Sequence, residues 1–179
     1  MTGIGTVYGE ALYQLAKEEN LTPVILSELR TLDTSFRREP DFIRLLCSAN
    51  LSKEERCGIL DSSFRGKIQP YLLNFLKILT EKGYVRHFSD CCKSYTQQYN
   101  QDNGILPVTA VTAVALSEAQ ADKLTGKLAQ ITGKTIELHN QVNPAVLGGV
   151  RLDYDGQRLD DTVSYRMDAI RGLLSKTVL

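Results

Sequence analysis

The hydrophobic pattern of the chain changes at Asn103-Gly104, and this change constrains the fold more than any other feature. Before it, apolar residues recur at steps of three and four, which is the spacing of amphipathic helices. After it come segments rich in Val, Thr and Ala in which apolar and polar residues alternate, as they do in strands. The sequence therefore predicts a helical domain over residues 1–103 and a smaller α+β domain over residues 104–179.

Six helices are predicted in the first domain, and local signals mark where several of them begin. Thr22-Pro23 starts the second helix, with threonine as the N-cap and proline at the first helical position. Ser52–Glu55 is a capping box that opens the fourth helix. Pro70 starts the fifth, and Gly83 separates it from the sixth. The short connections favour a compact antiparallel bundle.

The second domain is predicted to contain about three strands and two helices. The predicted elements are a strand at 105–116, a helix from 117 to about 131, strands at 135–139 and 150–154, and a last helix at 160–176. The expected fold class is therefore mainly α with a smaller α+β part, a six-helix N-terminal bundle followed by this small domain.

The most specific motif lies in residues 147–162. Gly148-Gly149 precede the strand 150–154, at a point where the lack of a Cβ permits positive φ or close backbone approach. Asp155-Gly156 then supplies a turn. The last helix is predicted from a stripe of apolar residues at steps of four, four, three and four, which comprises Leu159, Val163, Met167, Ile170 and Leu174.

This arrangement resembles the C-terminal signature of the delta subunit family of F-type ATP synthases, relatives of the mitochondrial oligomycin-sensitivity-conferring protein. That signature is an apolar residue, Gly-Gly, an alternating strand, a Gly turn and an apolar-Asp-x-Ser/Thr-apolar helix start. Tyr8–Ala16 is similar to the family's opening helix, Tyr-Ala-x-Ala-Leu-aromatic-x-Leu-Ala, although Gly9 and Glu10 replace the commoner alanine and basic residue. The matching signature residues are Leu147, Gly148, Gly149, Val150, Leu152, Gly156, Leu159, Asp160, Thr162 and Val163.

The resemblance implies a non-catalytic stator subunit that joins the catalytic head of the synthase to its peripheral stalk. It implies that the N-terminal bundle binds the N-terminal helix of an alpha subunit and that the C-terminal domain binds the b subunits, around the strand 147–154 and the last helix. Some residues of each contact stripe must instead be bundle core, because a stripe has one best-buried edge. The implied alpha-subunit contacts are Tyr8, Ala11, Leu12 and Leu15 of the first helix and Leu72, Phe75, Leu76 and Leu79 of the fifth.

Composition narrows the possible partners and location. Lys plus Arg equals Asp plus Glu at 21 each, so the formal net charge is zero and the basic field of a nucleic-acid-binding protein is missing. No apolar run approaches the length of a membrane span, and the N-terminus lacks a signal-peptide pattern. We expect a protein without direct membrane insertion, held peripherally at the cytoplasmic face of a membrane by the complex. A native-looking Met1 favours a bacterial origin.

No catalytic, cofactor or metal site is predicted. His87 and Cys91 share a helical face, but two ligands are too few for zinc, and four reduced cysteines without CxxC spacing are ordinary in a cytosolic protein. Gly133–Thr135 ends like a phosphate-binding loop, but Leu128 stands where that loop needs its first glycine. The alternative function is a free-standing helical adaptor or regulatory protein with the same layout, and an enzyme is a distant third.

Overall fold

A computed structural model describes residues 3–48, 50–163, 165 and 167. The chain divides into two compact units, residues 1–99 and 100–179, with the boundary near the end of the sixth helix. The helices of the N-terminal part are α1 Gly3–Glu18, α2 Thr22–Arg38, α3 Pro40–Leu46, α4 Lys53–Phe64, α5 Pro70–Glu81 and α6 Phe88–Asp102, with a short 3-10 turn at Val85–His87.

The predicted helix starts are confirmed at α4 and α5, and the start of α2 is confirmed without its predicted cap. The Ser52 hydroxyl accepts from the Glu55 N–H at 3.1 Å, and the Glu55 carboxylate accepts from the Ser52 N–H at 2.8 Å, so the capping box is complete. At α2 the N-cap is Leu21, which makes no side-chain cap bond, and Thr22 is the first helical residue. The Thr22 carbonyl accepts from the Tyr95 hydroxyl at 3.0 Å, so Thr22 contributes through its backbone.

The core of the N-terminal unit is built from leucines and aromatic rings. Phe36 lies 5.1 to 6.2 Å, centroid to centroid, from three other phenylalanine rings. Tyr13 and Tyr95 meet edge to face at 5.3 Å. Each fully buried large apolar side chain contributes about 1.5–3 kcal/mol relative to exposure. Apolar burial is therefore the main stabilising term of this unit.

Gly9 determines how closely α1 packs on α6. A Cβ at Gly9 would lie 2.6 Å from the Cys91 carbonyl oxygen and 2.7 Å from the Ser94 Cβ, closer than real Cβ atoms approach. The Ser94 hydroxyl also donates to the Thr6 carbonyl at 3.2 Å. The glycine that replaces the family's commoner alanine is thus required by the helix contact in this chain.

The described residues of the C-terminal unit form a four-stranded sheet with one helix packed on it. Its order is β2-β1-β3-β4, with β1 parallel to β2 and the other pairs antiparallel. The helix α7 connects the two parallel strands, begins with a complete capping box, and packs Leu124 and Leu128 on the sheet. The elements are β1 Ile105–Thr112, α7 Glu118–Thr132, β2 Thr135–Val142, a 3-10 turn at Pro144–Val146, β3 Val150–Tyr154 and β4 Gln157–Asp160.

The sheet has one strand more than the three predicted, because Leu159 and Asp160, predicted at the start of the last helix, belong to β4. Asp155 and Gly156 both have positive φ, 46° and 73°, as a two-residue type I′ turn requires, and this turn returns the chain beside β3. Leu159 therefore pairs with Leu152 instead of starting a helix. The predicted helix at 160–176 lies largely outside the described residues, which in this segment are 160–163, 165 and 167.

Candidate functional site

A groove of about 300 Å³ lies between α1 and α5 on the N-terminal unit. Its residues occupy matching positions on the two helices, at i, i+3, i+4 and i+7, which is one face of a helix over two turns. The lining residues are Tyr8, Ala11, Leu12 and Leu15 of α1 and Tyr71, Asn74, Phe75 and Ile78 of α5.

Contacts at the two ends of the groove show that α1 and α5 run antiparallel. At one end the Tyr8 ring meets the Tyr84 ring, just beyond the C-terminus of α5, with centroids 5.9 Å apart. At the other end Glu19, just beyond the C-terminus of α1, accepts a hydrogen bond from Tyr71 at the start of α5. The charge of Glu19 raises the pKa of the Tyr71 hydroxyl, so this hydroxyl stays protonated and can donate.

Five of the eight predicted contact residues line this groove, and three do not. Leu72, Leu76 and Leu79 are 0 % exposed and belong to the bundle core, so they cannot form the partner surface that their stripe suggested. Leu12 and Phe75 are nearly buried and form the floor, whereas Ala11 is exposed. The expected stripe on α5 is the inward face of that helix.

Tyr71, Asn74 and Ile78 were not among the predicted contact residues. These residues lie on a second, largely apolar face of α5, displaced by one residue, or about 100°, from the core stripe. Ile78 is 46 % exposed, which is unusual for an aliphatic residue in a predicted core helix. A helix that is apolar over two adjoining faces has a surplus face, and that width was the available signal.

The chemistry of the groove is that of a binding surface. Apart from two tyrosine hydroxyls and the Asn74 amide, its lining side chains are aliphatic or aromatic. The lining offers no nucleophile beside a base. Within residues 3–48, 50–163, 165 and 167, no group of three or more His, Cys, Asp or Glu side chains is placed to hold a metal ion. Such a groove can bind an apolar stripe of matching length.

The signature residues of the C-terminal unit form a scaffold around one close backbone contact. Gly149 has φ of 79°, and a Cβ there would lie 2.5 Å from the Asp161 carbonyl oxygen. Two backbone bonds flank this contact, from the Asp161 N–H to the Val150 carbonyl at 3.2 Å and from the Val163 N–H to the Gly148 carbonyl at 3.0 Å. The second glycine of the pair therefore permits the crossing of residues 148–150 over 161–163.

Side-chain bonds fix the same region. The Asp160 carboxylate accepts from the hydroxyl and the N–H of Thr162, at 2.7 and 3.0 Å, and the hydroxyl bond lowers the pKa of Asp160. The Thr162 hydroxyl in turn accepts from the Tyr165 N–H at 3.2 Å, the bond of a helix N-cap. The predicted helix start at Asp160 is thus displaced to Thr162.

A polar depression on the sheet contains charged side chains that bond to one another. It is lined by Pro107, Thr109 and the β3–β4 hairpin, and Asp153 lies at its base. Asp153 accepts from Arg158 at 2.8 Å and from Arg151 at 3.3 Å, and the Arg158 bond is the main cause of its lowered pKa. These charges are engaged with one another instead of facing a ligand.

The Gly133–Thr135 segment and Cys91, which resemble parts of ligand sites, have structural explanations. Gly133 is the left-handed C-cap of α7, with φ of 67°, and β2 follows, so the chain passes from helix to strand, the reverse of a phosphate-binding loop. Cys91 is buried in the bundle, and burial raises the pKa of its thiol to about 11, which suppresses the thiolate that a metal would require.

Among the described residues, no helix has both the length and the apolar character needed to cross a membrane. Exposed apolar residues do occur in the C-terminal unit, next to the signature scaffold. Leu147 is 65 % exposed and Val163 is 43 % exposed, and a Cβ at Gly148 would be in ordinary contact with Val163. These residues form a second candidate surface, which we call the 147/163 patch.

Known proteins with the same sequence pattern are ATP synthase subunits. The family described as ATP synthase delta (OSCP) subunit matches residues 4–174. The ATP synthase subunit delta of Clostridioides difficile (strain 630) is 31 % identical over 98 % of this chain and 97 % of its own length. The corresponding subunit of Alkaliphilus oremlandii (strain OhILAs) is 30 % identical over 96 % of both chains.

A solved structure shares the fold. A chain of the Toxoplasma gondii mitochondrial ATP synthase hexamer superposes with a TM-score of 0.76 at 20 % identity, covering 97 % of this chain and 98 % of its own. The family match and the two relatives agree over nearly the full length of the chain. The chain belongs to the ATP synthase delta (OSCP) subunit family.

Proposed function

We propose that this chain acts as a stator by binding the N-terminal helix of an alpha subunit in the α1–α5 groove. Members of its family are non-catalytic subunits of the F-type ATP synthase, so its task is mechanical. The observation that carries the proposal is the apolar groove itself, because it presents one face of each of two antiparallel helices to a partner.

The dimensions of the groove suit a short amphipathic helix. Each lining face extends over seven residue steps, or about 10.5 Å, so two turns of a partner helix would lie along it. An apolar stripe at i, i+3, i+4 and i+7 would interlock with Leu15, Phe75 and Ile78. This is the helix-in-groove mode of peptide recognition, in which apolar anchors supply affinity.

A stator must remain bound while the rotor applies torque to the head. Nanomolar affinity corresponds to about 12 kcal/mol, which a few well-buried anchors can supply. An apolar groove can meet this requirement without any chemical reaction. Salt screens charge pairs but does not screen apolar contacts. The zero formal net charge agrees with capture by shape instead of by long-range attraction.

The same proposal assigns the peripheral stalk to the C-terminal unit. The 147/163 patch offers exposed aliphatic side chains on a backbone held by the Gly149 crossing and the Thr162 bonds. The ends of the b subunits would bind there. The complex would then hold this chain at the cytoplasmic face of a bacterial membrane without any insertion of its own.

The test is titration calorimetry of the full chain with a peptide of the alpha subunit's N-terminal segment. Ile78→Asp should weaken binding by about tenfold or more, because it places a carboxylate in the groove. The matched control is Val24→Asp, which replaces a 41 % exposed aliphatic residue of α2 outside the groove and should leave affinity unchanged. Equal loss in both variants, or in neither, would refute the groove as the site.

The stalk assignment has a parallel test with a C-terminal segment of the b subunit. Val163→Glu should weaken this interaction and leave alpha-peptide binding intact. Val114→Glu is the control, because Val114 is an exposed valine of the same unit that does not belong to the patch. If Val163→Glu reduces alpha-peptide binding instead, the two units have been assigned the wrong partners.

A further inference from the structure

Two charged residues continue the rows of side chains that line the groove. Glu19 follows Leu15 by four residues, and its N–H donates to the Leu15 carbonyl at 3.1 Å. Lys82 follows Ile78 by four residues, and its N–H donates to the Ile78 carbonyl at 3.0 Å. Both residues therefore keep helical geometry and lie on the lining face, one turn beyond the apolar part.

Because α1 and α5 are antiparallel, these two charges stand at opposite ends of the groove. Glu19 lies beside Tyr71, whose hydroxyl holds its carboxylate at the rim. Lys82 lies near the other end, two residues before Tyr84, whose ring contacts Tyr8. Both charged side chains are exposed. The groove is thus apolar along its length, acidic at one end and basic at the other.

The charged residues next to Glu19 and Lys82 in the chain leave this polarity in place. Glu18 is exposed next to Glu19 and adds to the acidic end. Lys17 lies two residues before Glu19, about 200° round the helix, and so belongs to another face of α1. At the basic end, the carboxylate of Glu81 faces α4, where it accepts from the Cys57 thiol at 3.7 Å.

We infer that the groove fixes the direction of the helix it binds, with the helix N-terminus at Glu19 and its C-terminus at Lys82. A helix carries a partial positive charge at its N-terminus, where N–H groups lack partners, and a partial negative charge at its C-terminus. This direction brings opposite charges together at both ends, and the reverse direction brings like charges together. The bound helix would run parallel to α5 and antiparallel to α1. The inference rests on the proposed function for the identity of the helix.

Paramagnetic relaxation measured by NMR reads the direction. The full chain is labelled with ¹⁵N and mixed with the alpha-subunit peptide carrying a nitroxide at one end or the other. A label at the peptide N-terminus should broaden the amides of Leu15 and Tyr71, and a label at the C-terminus should broaden those of Tyr8 and Ile78. The opposite pattern, or equal broadening at both ends, overturns the inference while leaving the groove as the binding site. Absence of binding overturns the proposed function and this inference with it.

A charge reversal tests whether Glu19 and Lys82 fix the direction of the bound helix. The double variant Glu19→Lys, Lys82→Glu keeps the net charge but inverts the groove, and we expect about three- to tenfold weaker binding at low ionic strength, with the difference shrinking in salt. Glu19→Gln keeps an acceptor for Tyr71 and isolates the charge. The control is Asp122→Lys, Lys127→Glu, an exposed pair on α7, which should bind like the unmodified chain. Undiminished affinity in the inverted groove would overturn the electrostatic explanation.

Discussion

The helical unit and the sheet unit of this chain are stabilised by different physics. In the helical unit, leucines and stacked or edge-to-face aromatic rings fill a large core, and close helix packing at Gly9 completes it. The described residues of the sheet unit form a small apolar core around Val108 and Leu152. Backbone turns, the Gly149 crossing and paired charges such as Asp153 with Arg158 also constrain this unit.

This difference indicates how one chain can join two partners. A unit with a large core can leave a second apolar face of α5 open as a groove without losing stability. A unit with a small core must hold its exposed 147/163 patch in place by geometry, because burial alone supplies little. The helical unit should therefore tolerate changes on its groove face, and the sheet unit should be sensitive to single backbone positions.

The largest effect is expected in the helical core. Leu76→Ala removes a fully buried side chain from α5 and should lower the free energy of unfolding by about 3 kcal/mol or more, from lost burial and the cavity left behind. Ile78→Ala, on the groove face of the same helix, should cost less than about 1 kcal/mol. Urea unfolding followed by NMR signals of α5 measures both, and equal costs would contradict the separation of the two faces.

A smaller effect is expected at the signature glycine. Gly149→Ala should destabilise the sheet unit by about 2 kcal/mol, because it combines positive φ with a Cβ 2.5 Å from a backbone oxygen. The matched substitution Gly126→Ala lies within α7 with open space around it, and it should stabilise by about 0.5–1 kcal/mol. Hydrogen exchange in β1 and β3 reports the change. Unaltered protection in Gly149→Ala would mean that residues 148–150 can be rearranged freely.

The smallest effect concerns acid. Hydrogen bonds from Arg158 to Asp153 and from Thr162 to Asp160 lower the pKa values of both carboxyls in the folded chain. Their stabilisation is therefore present above the unfolded-state pKa of about 3.9 and is lost as the pH falls through the lower folded values. Asp153→Asn should flatten the acid-induced loss of sheet-unit stability.

The control for this acid effect lies in the helical unit. A hydrogen bond from Lys77 lowers the pKa of Asp61, so Asp61→Asn should flatten the acid response of that unit alone. Circular dichroism and NMR at decreasing pH distinguish the two responses. An unchanged acid transition in Asp153→Asn would mean that the charge network around Asp153 does not stabilise the sheet unit.

Local sequence signals predicted most of the fold because their causes are local. The capping box at Ser52 acts within one helical turn, and α4 begins where this motif predicts. The predicted helix start at Ser117 is also local, because the structure shows a second capping box there. Leu159 was predicted to belong to a helix because its spacing from Val163 fits one. The type I′ turn at Asp155-Gly156 instead places Leu159 in a strand, where it pairs with Leu152.

The groove could be predicted only in part, because burial is a property of packing. The apolar residues of α5 occupy two adjoining faces, and the sequence does not state which face meets the core. Leu72 and Leu76 meet it, whereas Tyr71 and Ile78 face the groove. On α1 all four proposed residues line the groove, and their contact with a partner stays a prediction.

The most direct test of the proposal that the helical unit binds the alpha subunit is chemical-shift mapping of the full chain with the alpha-subunit N-terminal peptide. We expect saturable shifts at groove residues of both helices, with Ala11, Leu15, Asn74 and Ile78 among the largest, and no comparable shifts in residues 105–160. Shifts concentrated in the sheet unit, with the groove amides unmoved, would contradict the account.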